Sequence, residues 1–316
     1  MPPASVTLPP RRPALGRIHV TAPLPPKIID THQHLWDLQR LSLPWTKGNE
    51  TLGRNFLMAD YLRATAGLPV TQTIYMEVDV DPAQQEAEAR SVIELCRRDD
   101  NPMAAAVISG RPALAGFREY VLKFQDAPEI KGVRQVLHGP ATPPGYCLDP
   151  AFVRGIQFLG ERGLSFDLCL RSGELLDADK LVAQCPHTRF ILDHCGNMNP
   201  AEGDTAGRRQ WQEGMKHLAD HDHVVCKVSG IIAAATPDWT PAQLAPTIIF
   251  TLETFGPDRV MFAGDWPVCT LRASLRQWIE ALNEITSSRS TAERTKLFHD
   301  NAVRFYGLPA NGKKPS

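Results

Sequence analysis

Eight short apolar runs recur along the chain and are separated by longer stretches of mixed polarity. They are KIIDTHQ, TQTIYMEVD, MAAAVISG, IKGVRQVLH, LSFDLCLR, RFILDHCG, VVCKVSGI and RVMFAGDW. Most are rich in valine, isoleucine, leucine and phenylalanine, as strands covered on both faces of a parallel sheet are. The alanine-rich third run carries the weakest signal. The pattern predicts eight buried parallel strands.

The stretches between these runs carry the start and stop signals of helices. Asp81-Pro82, Asp149-Pro150 and Thr240-Pro241 each place a capping side chain before a proline at the first helical position. Gly163 and Gly256 end two of the helical patterns. Strands that alternate with helices favour an α/β fold, a closed (β/α)8 TIM barrel. An open doubly wound sheet competes, but no GxGxxG follows the first strand and no P-loop sequence occurs.

A proline-rich segment before the barrel and a short tail after it set its predicted limits. Residues 1–26 contain eight prolines, so they cannot form a regular helix or a central strand and are expected to be an extended arm. The catalytic barrel is expected over residues 27–307, with a tail over residues 308–316.

Composition narrows the class of protein. The chain has 316 residues, a formal net charge of −1 and 22% charged residues, which argues against binding to nucleic acid or to a membrane surface. No apolar stretch approaches the ~20 residues of a membrane span, and the N-terminus lacks the apolar segment of a secretory signal. The seven cysteines form no CxxC pair, which favours a reducing, cytoplasmic location. The sequence is compatible with a homo-oligomer and does not specify one.

Polar side chains collect where the predicted strands end, which is where the reactive groups of such a barrel gather. His32 and His34 end the first strand together with Asp30, and alternation along a strand places all three on one face. His194 ends the sixth strand and Asp265 the eighth. The two imidazoles suit a divalent metal or a polarised carbonyl. The alternatives are hydrogen bonds to a neighbouring loop for His32 and His34, and a buried structural role for His194.

Further side chains are candidates for substrate binding. Arg134, Arg171 and Lys227 can bind a carbonyl or anionic oxygen, or can form internal ion pairs with Glu77, Asp79 or Asp167. His138 follows the fourth strand, and a long loop after the first strand offers Trp45 and Lys47 as part of a lid. Tyr146 lies in a proline-rich loop near the same mouth. For the aromatic residues, simple packing is the alternative. The candidates for substrate binding are therefore Arg134, His138, Lys227, Arg171, Trp45 and Tyr146.

Five segments together resemble a known family. IDTHQHLWD, KGVRQVLH, FILDHCG, CKVSGI and DRVMFAGDWPVC occur in the order and spacing of the lactonase branch of the amidohydrolase superfamily, over roughly residues 27–307. That branch includes enzymes acting on fuconolactone and rhamnonolactone, and 2-pyrone-4,6-dicarboxylate lactonase. The resemblance implies a (β/α)8 barrel, hydrolysis of a cyclic ester, and a site built from His32, His34, His194 and Asp265.

One departure from the superfamily concerns the metal. Metal-bound members carry a further histidine or a carboxylated lysine from the middle strands, whereas the fifth strand here offers Asp167, Cys169 and Arg171. His32, His34, His194 and Asp265 remain as ligands for one divalent metal, zinc first, and catalysis without a metal is the alternative.

The reaction expected from the resemblance is the opening of a small lactone. Asp265 would activate the water, and the histidine cluster or its metal would polarise the carbonyl. The competing activities are decarboxylation or hydration of a small unsaturated acid on the same barrel, and binding without turnover.

Overall fold

Eight parallel strands form one sheet in chain order. The computed structural model describes residues 23–309. The strands are β1 (Ile28–Gln33), β2 (Val70–Met76), β3 (Met103–Ser109), β4 (Ile130–Val136), β5 (Ser165–Cys169), β6 (Arg189–Leu192), β7 (Val224–Val228) and β8 (Val260–Phe262). Each prediction of a strand is confirmed, including the alanine-rich β3.

Contacts between the first and last strands close the sheet into a barrel. The backbone N–H of His34 donates to the carbonyl of Trp266 at 2.8 Å, and Gln33 forms a parallel bridge with Trp266. The Thr31 hydroxyl donates to the carbonyl of Phe262 at 2.7 Å. The (β/α)8 barrel predicted from the sequence is therefore confirmed.

Helices connect the strands on the outside of the barrel. The α-helices of five residues or more are Met58–Ala64, Gln85–Cys96, Phe117–Leu122, Pro150–Glu161, Leu175–Gln184, Ala206–Ala219, Pro241–Phe255, Leu275–Ile285, Thr291–Thr295 and Asn301–Tyr306. Short helical turns span His194–Asn197 and Ile231–Ala234, and a π-helical turn spans Lys296–Asp300.

The capping signals of Asp81 and Asp149 operate as predicted. The carboxylates of Asp81 and Asp149 accept from the backbone N–H of Ala83 and Ala151, respectively. Gly163 and Gly256 follow their helices with positive φ.

The hydrophobic core has two layers, one inside the barrel and one around it. Inside the barrel, Ile29, Ile74, Val107 and Met261 pack with the C-terminal Tyr306, which covers the end at which the strands begin. A larger outer layer lies between the sheet and the helices. All seven cysteines lie within the described residues, and all are free and buried. The inner layer therefore fills the barrel from the end at which the strands begin.

The limits of the predicted domains fall partly outside the described residues. Residues 1–22 of the predicted arm and 310–316 of the predicted tail are not described, so those assignments stay predictions. Within residues 23–309, no helix combines the length and the apolar character that crossing a bilayer requires.

A buried carboxyl group fastens the helix Gln85–Cys96 to the end of β2. Glu88 accepts from the Tyr75 hydroxyl at 2.9 Å and from the backbone N–H of Val78 at 2.8 Å. Burial, and then the charge of Glu77, raise the pKa of Glu88 to about 8. The folded protein therefore holds a proton on Glu88 at neutral pH that the unfolded chain releases.

Glu88→Gln should flatten the pH dependence of stability. In the wild type, the free energy of unfolding should fall as pH rises from the usual glutamate pKa toward about 8, because the folded state binds the extra proton. The slope contributed by Glu88 approaches about 1.4 kcal/mol per pH unit inside that window. Urea unfolding across the window measures it. Glu94→Gln, an exposed glutamate of the same helix, is the control. An unchanged slope in Glu88→Gln would contradict the assignment.

Candidate active site

An extra residue in β1 turns His32 and His34 toward the barrel mouth. Three steps along β1, from Asp30 to Gln33, pair with only two steps along β2, from Thr73 to Tyr75. This bulge breaks the alternation of side chains. The carboxylate of Asp30 consequently faces the helices, where it accepts from the Tyr61 hydroxyl at 2.8 Å and from the backbone N–H of Gly264 at 2.7 Å. The expectation that Asp30 shares a face with the two histidines was wrong.

The protonation of His34 follows from its neighbours. Its Nδ1 lies 2.9 Å from the carbonyl oxygen of Met76, which can only accept, so Nδ1 carries the hydrogen. In the neutral ring, Nε2 then carries an unshared electron pair. This atom lies 3.4 Å from Oδ1 of Asp265. Two electron-rich atoms facing each other require a proton or a cation between them. A proton or a metal cation between Nε2 of His34 and Oδ1 of Asp265 would therefore stabilise this contact.

His194 is held by an unusual turn and by β7. His194, Cys195 and Asn197 all have positive φ, as does Gly196 between them. The Nδ1 atom of His194 lies 2.9 Å from the Ser229 hydroxyl, which leaves Nε2 for other partners. Its ring centroid is 4.6 Å from that of His32. The turn thus carries the third imidazole back over the barrel mouth, next to the first two.

Asp265 closes the cluster from the side of β8. It has a φ of 51°, its backbone carbonyl accepts from Cys269 at 2.8 Å, and its Oδ1 lies 3.7 Å from Nε2 of His32. Ligand atoms of His32, His194 and Asp265 all lie within 4.8 Å of one another. Two imidazoles and a carboxylate form a common donor set for zinc. The structure therefore brings together all four catalytic candidates, with His34 beside the group of three.

Buried charged side chains lie against both ring nitrogens of His32. Nδ1 of His32 lies 3.5 Å from Oδ1 of Asp193, and Nη1 of Arg134 lies 3.2 Å from Nε2 of His32. Because a guanidinium can only donate, the neutral His32 ring accepts at Nε2 and directs Nδ1–H toward Asp193. Burial lowers the pKa of His32 well below its usual value, and burial also lowers the pKa of His194. Both rings are therefore neutral at pH 7.

Arg134 and Lys227 both take part in internal ion pairs, the alternative considered from the sequence. Arg134 donates to the Glu77 carboxylate at 2.7 Å and lies 3.2 Å from Asp193. The ammonium of Lys227 lies 2.5 Å from Asp167 and 3.4 Å from Asp193, and its side chain is fully buried. Lys227 therefore lies inside the barrel, below the mouth. The guanidinium of Arg134, by contrast, reaches His32 at the edge of the mouth.

Asp193 and Glu77 were absent from the site predicted by sequence. Asp193 connects His32, Arg134 and Lys227, and Glu77 holds the guanidinium of Arg134 on its other side. Both are acids at strand ends, which was the available signal. The sequence did not reveal which cation each acid would meet.

The remaining candidates lie around the mouth and its loops. His138 is exposed, yet desolvation by the surrounding walls, followed by the charges of His194 and Arg134, lowers its pKa to about 4. Arg171 is tied to Glu174 and to the carbonyl oxygens of Gly139 and Thr142, so it holds the loop after β4. Of these two side chains, His138 is the one that solvent reaches without breaking an ion pair.

The aromatic candidates differ in how far they are available. Tyr146 is partly buried and packs edge-to-face on Phe152. The indole of Trp45 is 41% exposed and donates to the carbonyl of Val78 at 2.8 Å, so it lies above the end of β2. Trp45 is therefore presented to solvent at the rim, whereas Tyr146 is mainly a packing residue.

A charged pair that the sequence reasoning did not single out lies at the same rim. Asp79 and Arg111 form an ion pair at 2.8 Å, with 39% of the Asp79 side chain exposed. The backbone N–H of Asp79 donates to Glu77 at 2.7 Å, and Glu77 holds Arg134 beside His32. The pair is thus connected to the histidine cluster through two buried side chains.

Comparison with known proteins shows which proteins share this sequence and this fold. The amidohydrolase family model matches residues 29–308. The chain is 31% identical to an L-fucono-1,5-lactonase of Burkholderia multivorans, over 89% of this chain and 96% of the relative. It is 25% identical to an L-rhamnono-gamma-lactonase of Scheffersomyces stipitis, over 89% and 99%. A crystal structure of an amidohydrolase from Burkholderia multivorans with bound zinc is 28% identical, with a TM-score of 0.79, over 90% of this chain and all of that one.

Gly230→Ala should displace His194. A Cβ at Gly230 would lie 2.4 Å from Cγ and Nδ1 of the His194 ring, so the ring must move away from Ser229. A crystal structure of the variant measures that displacement. Gly256→Ala is the matched control, because Gly256 has a similar positive φ but nothing within 4 Å of the added Cβ. Both variants should lose more than about 1 kcal/mol of stability from the strained φ. An unmoved His194 in Gly230→Ala would contradict the tight packing described here.

Proposed function

Because the chain belongs to the amidohydrolase family, we propose that it is a hydrolase that opens a small sugar lactone to its hydroxy acid. The observation that carries the proposal is the carboxylate of Asp265 beside the imidazoles of His32 and His34. The names of the two relatives, a fuconolactonase and a rhamnonolactonase, support the class of substrate.

In the proposed reaction, Asp265 serves first as base and then as acid. Its carboxylate takes a proton from a water molecule as the water oxygen bonds to the lactone carbonyl carbon. The bond from that carbon to the ring oxygen then breaks, and the proton passes from Asp265 to the departing alkoxide. The product is an open-chain hydroxy acid, and Asp265 returns to its ionised form.

The histidine cluster has the composition of a metal site. His32, His194 and Asp265 would hold one divalent ion, zinc first, with Nε2 of His34 directed at the same carboxylate. When bound, the ion would supply a Lewis acid that polarises the lactone carbonyl. The guanidinium of Arg134, 3.2 Å from Nε2 of His32, opposes a cation there, so we expect modest affinity. Without a metal, the Nε2–H group of His194, whose Nδ1 would then accept from the Ser229 hydroxyl, would polarise the carbonyl.

Substrate recognition is assigned to the rim of the mouth. Asp79 and Arg111 offer an acceptor and donors side by side, which suits the hydroxyl groups of a sugar lactone. The exposed face of Trp45 next to them would cover the C–H surface of the ring. His138 would be a further contact with the substrate, because its side chain is neutral and accessible. Arg134 would act at the carbonyl end, through its contact with His32.

Asp265→Asn should abolish lactone hydrolysis while leaving the fold intact. Loss of the base should lower kcat by about 10²–10⁴-fold, since Asn keeps the shape of the side chain but cannot accept the proton. The assay is acid release from a panel of hydroxylated five- and six-membered lactones, run before and after chelation and after addition of Zn²⁺. Asp99→Asn, an exposed acid in the turn before β3, is the control and should retain wild-type rates.

Two results would count against this assignment. Near-normal turnover by Asp265→Asn would remove Asp265 as the base. Release of CO2 from small carboxylic acids, with no lactone hydrolysed by the wild type, would replace the lactonase with a decarboxylase.

Asp79→Asn should weaken the discrimination in favour of hydroxylated lactones. Asn is well suited to the left-handed backbone at this position, where φ is 48°, so the fold should survive. With a hydroxylated lactone, kcat/KM should fall about tenfold, the value of one charge-assisted hydrogen bond. With an unsubstituted lactone of the same ring size it should stay nearly unchanged. Equal losses on both substrates would show that Asp79 only supports the fold.

A further inference from the structure

A second concave site lies at the opposite end of the barrel from His32. It is a cavity of about 360 Å³ at the beginnings of β4, β5 and β6, beside the C-terminal helix Asn301–Tyr306. Its charged lining consists of Lys131, Arg162, Arg189 and Arg304, and no acid occurs among the described residues that line it. A cavity of this size with four cations and no acid has the composition of an anion site.

Three of the four cations have no carboxylate partner. Within residues 23–309, Lys131, Arg162 and Arg189 have no acidic group within 4.0 Å, whereas Arg304 lies 3.7 Å from Asp258. The nearest acid along the chain, Glu129, is bound by Arg97 at 2.8 Å. The charge of Glu129 still acts on Lys131 from a distance, but none of Lys131, Arg162 and Arg189 has a carboxylate in direct contact within residues 23–309, so the cavity keeps a net positive charge.

Arg189 is already fixed in position. It donates to the carbonyl oxygens of Phe305 at 2.5 Å and of Gly163 at 3.2 Å, and its guanidinium lies 4.9 Å from the centre of the Phe305 ring. Both hydrogen-bond partners are neutral, so the charge itself remains available. A ligand would not have to immobilise this side chain, and binding would cost correspondingly less entropy.

Lys131 and Arg189 repel each other across the cavity wall. Burial, and then the positive charge of Arg189, lower the pKa of Lys131, while burial lowers the pKa of Arg189. Holding two partly buried like charges together is unfavourable unless a counter-charge is present. An anion between them would relieve both the repulsion and the loss of hydration.

We propose that this cavity binds the phosphate group of a small organic phosphate. Three unpaired cations match a dianion better than a monoanion, and arginine binds phosphate oxygens in pairs. The side chains of Val121, Phe124 and Phe305 supply an apolar wall for the organic part. The site lies at the end of the barrel where strands begin, so it is independent of the lactone chemistry proposed for the other end.

The test is calorimetric titration of the full-length protein with phenyl phosphate and with inorganic phosphate. The double variant Lys131→Gln/Arg162→Gln should bind both at least tenfold more weakly, because it removes two of the three unpaired charges. Arg154→Gln/Lys216→Gln removes the same charge from exposed positions outside the cavity and should bind like the wild type. Arg189→Lys keeps the charge but loses the fixed fork, and should bind with intermediate affinity. Phenyl phosphate should bind more tightly than inorganic phosphate if the apolar wall contributes.

Three outcomes would overturn the proposal. The first is no saturable binding of either probe by the wild type at millimolar concentration. The second is equal affinity in the cavity variant and the wild type, which would place the phosphate elsewhere on the chain. The third is binding of benzoate as tight as that of phenyl phosphate, which would make the site one for carboxylates. Because binding is read directly, none of these results depends on lactone hydrolysis.

Discussion

The active site depends on a set of charges kept inside a barrel that otherwise excludes them. Asp193 is the centre of this set, since its carboxylate contacts His32, Arg134 and Lys227, and Asp167 and Glu77 satisfy the two cations from outside. Removing one member would leave an uncompensated buried charge, a cost of about 3–5 kcal/mol in comparable cases. The network is therefore a constraint on both the stability and the chemistry of the mouth.

The same network sets the protonation of the histidines above it. A neutral His32 is maintained by burial against the opposing attraction of Asp193, and the Arg134 guanidinium further disfavours a proton on Nε2. The His34 ring is oriented by a backbone carbonyl and His194 by a hydroxyl, so neither carries a fixed charge partner behind it. Oδ1 of Asp265 lies 3.7 Å from Nε2 of His32 and 3.4 Å from Nε2 of His34. Neutral His32 and His194 rings leave Asp265 free of a cationic imidazole on either of them, which is what the proposed exchange of protons with substrate requires.

How far the sequence anticipated this arrangement depends on the range of the interactions. The eight strands follow from local patterns, and the rule about strand ends makes His32, His34, His194 and Asp265 candidates. Their grouping into one site was implied by the resemblance to the lactonase branch. The orientation of Asp30 does not, because a single extra residue in β1 reverses it. The pairing of Lys227 with Asp167 joins residues on different strands, so no local pattern encodes it. The pair of Asp79 and Arg111 was missed for the same reason.

The seam between β1 and β8 has a consequence for how the protein comes into being. The hydrogen bonds from Thr31 to Phe262 and from Gly264 to Asp30 join positions 231 and 234 residues apart, and His32 and Asp265 lie on the two sides of this seam. Contacts of such separation must overcome a large loop-closure entropy, which slows their formation. In a nascent chain, the cluster of His32 and Asp265 therefore cannot form until the last strand has left the ribosome. A circular permutant opened at a distant loop would shorten the chain between the two sides of the seam while keeping the same atoms in place.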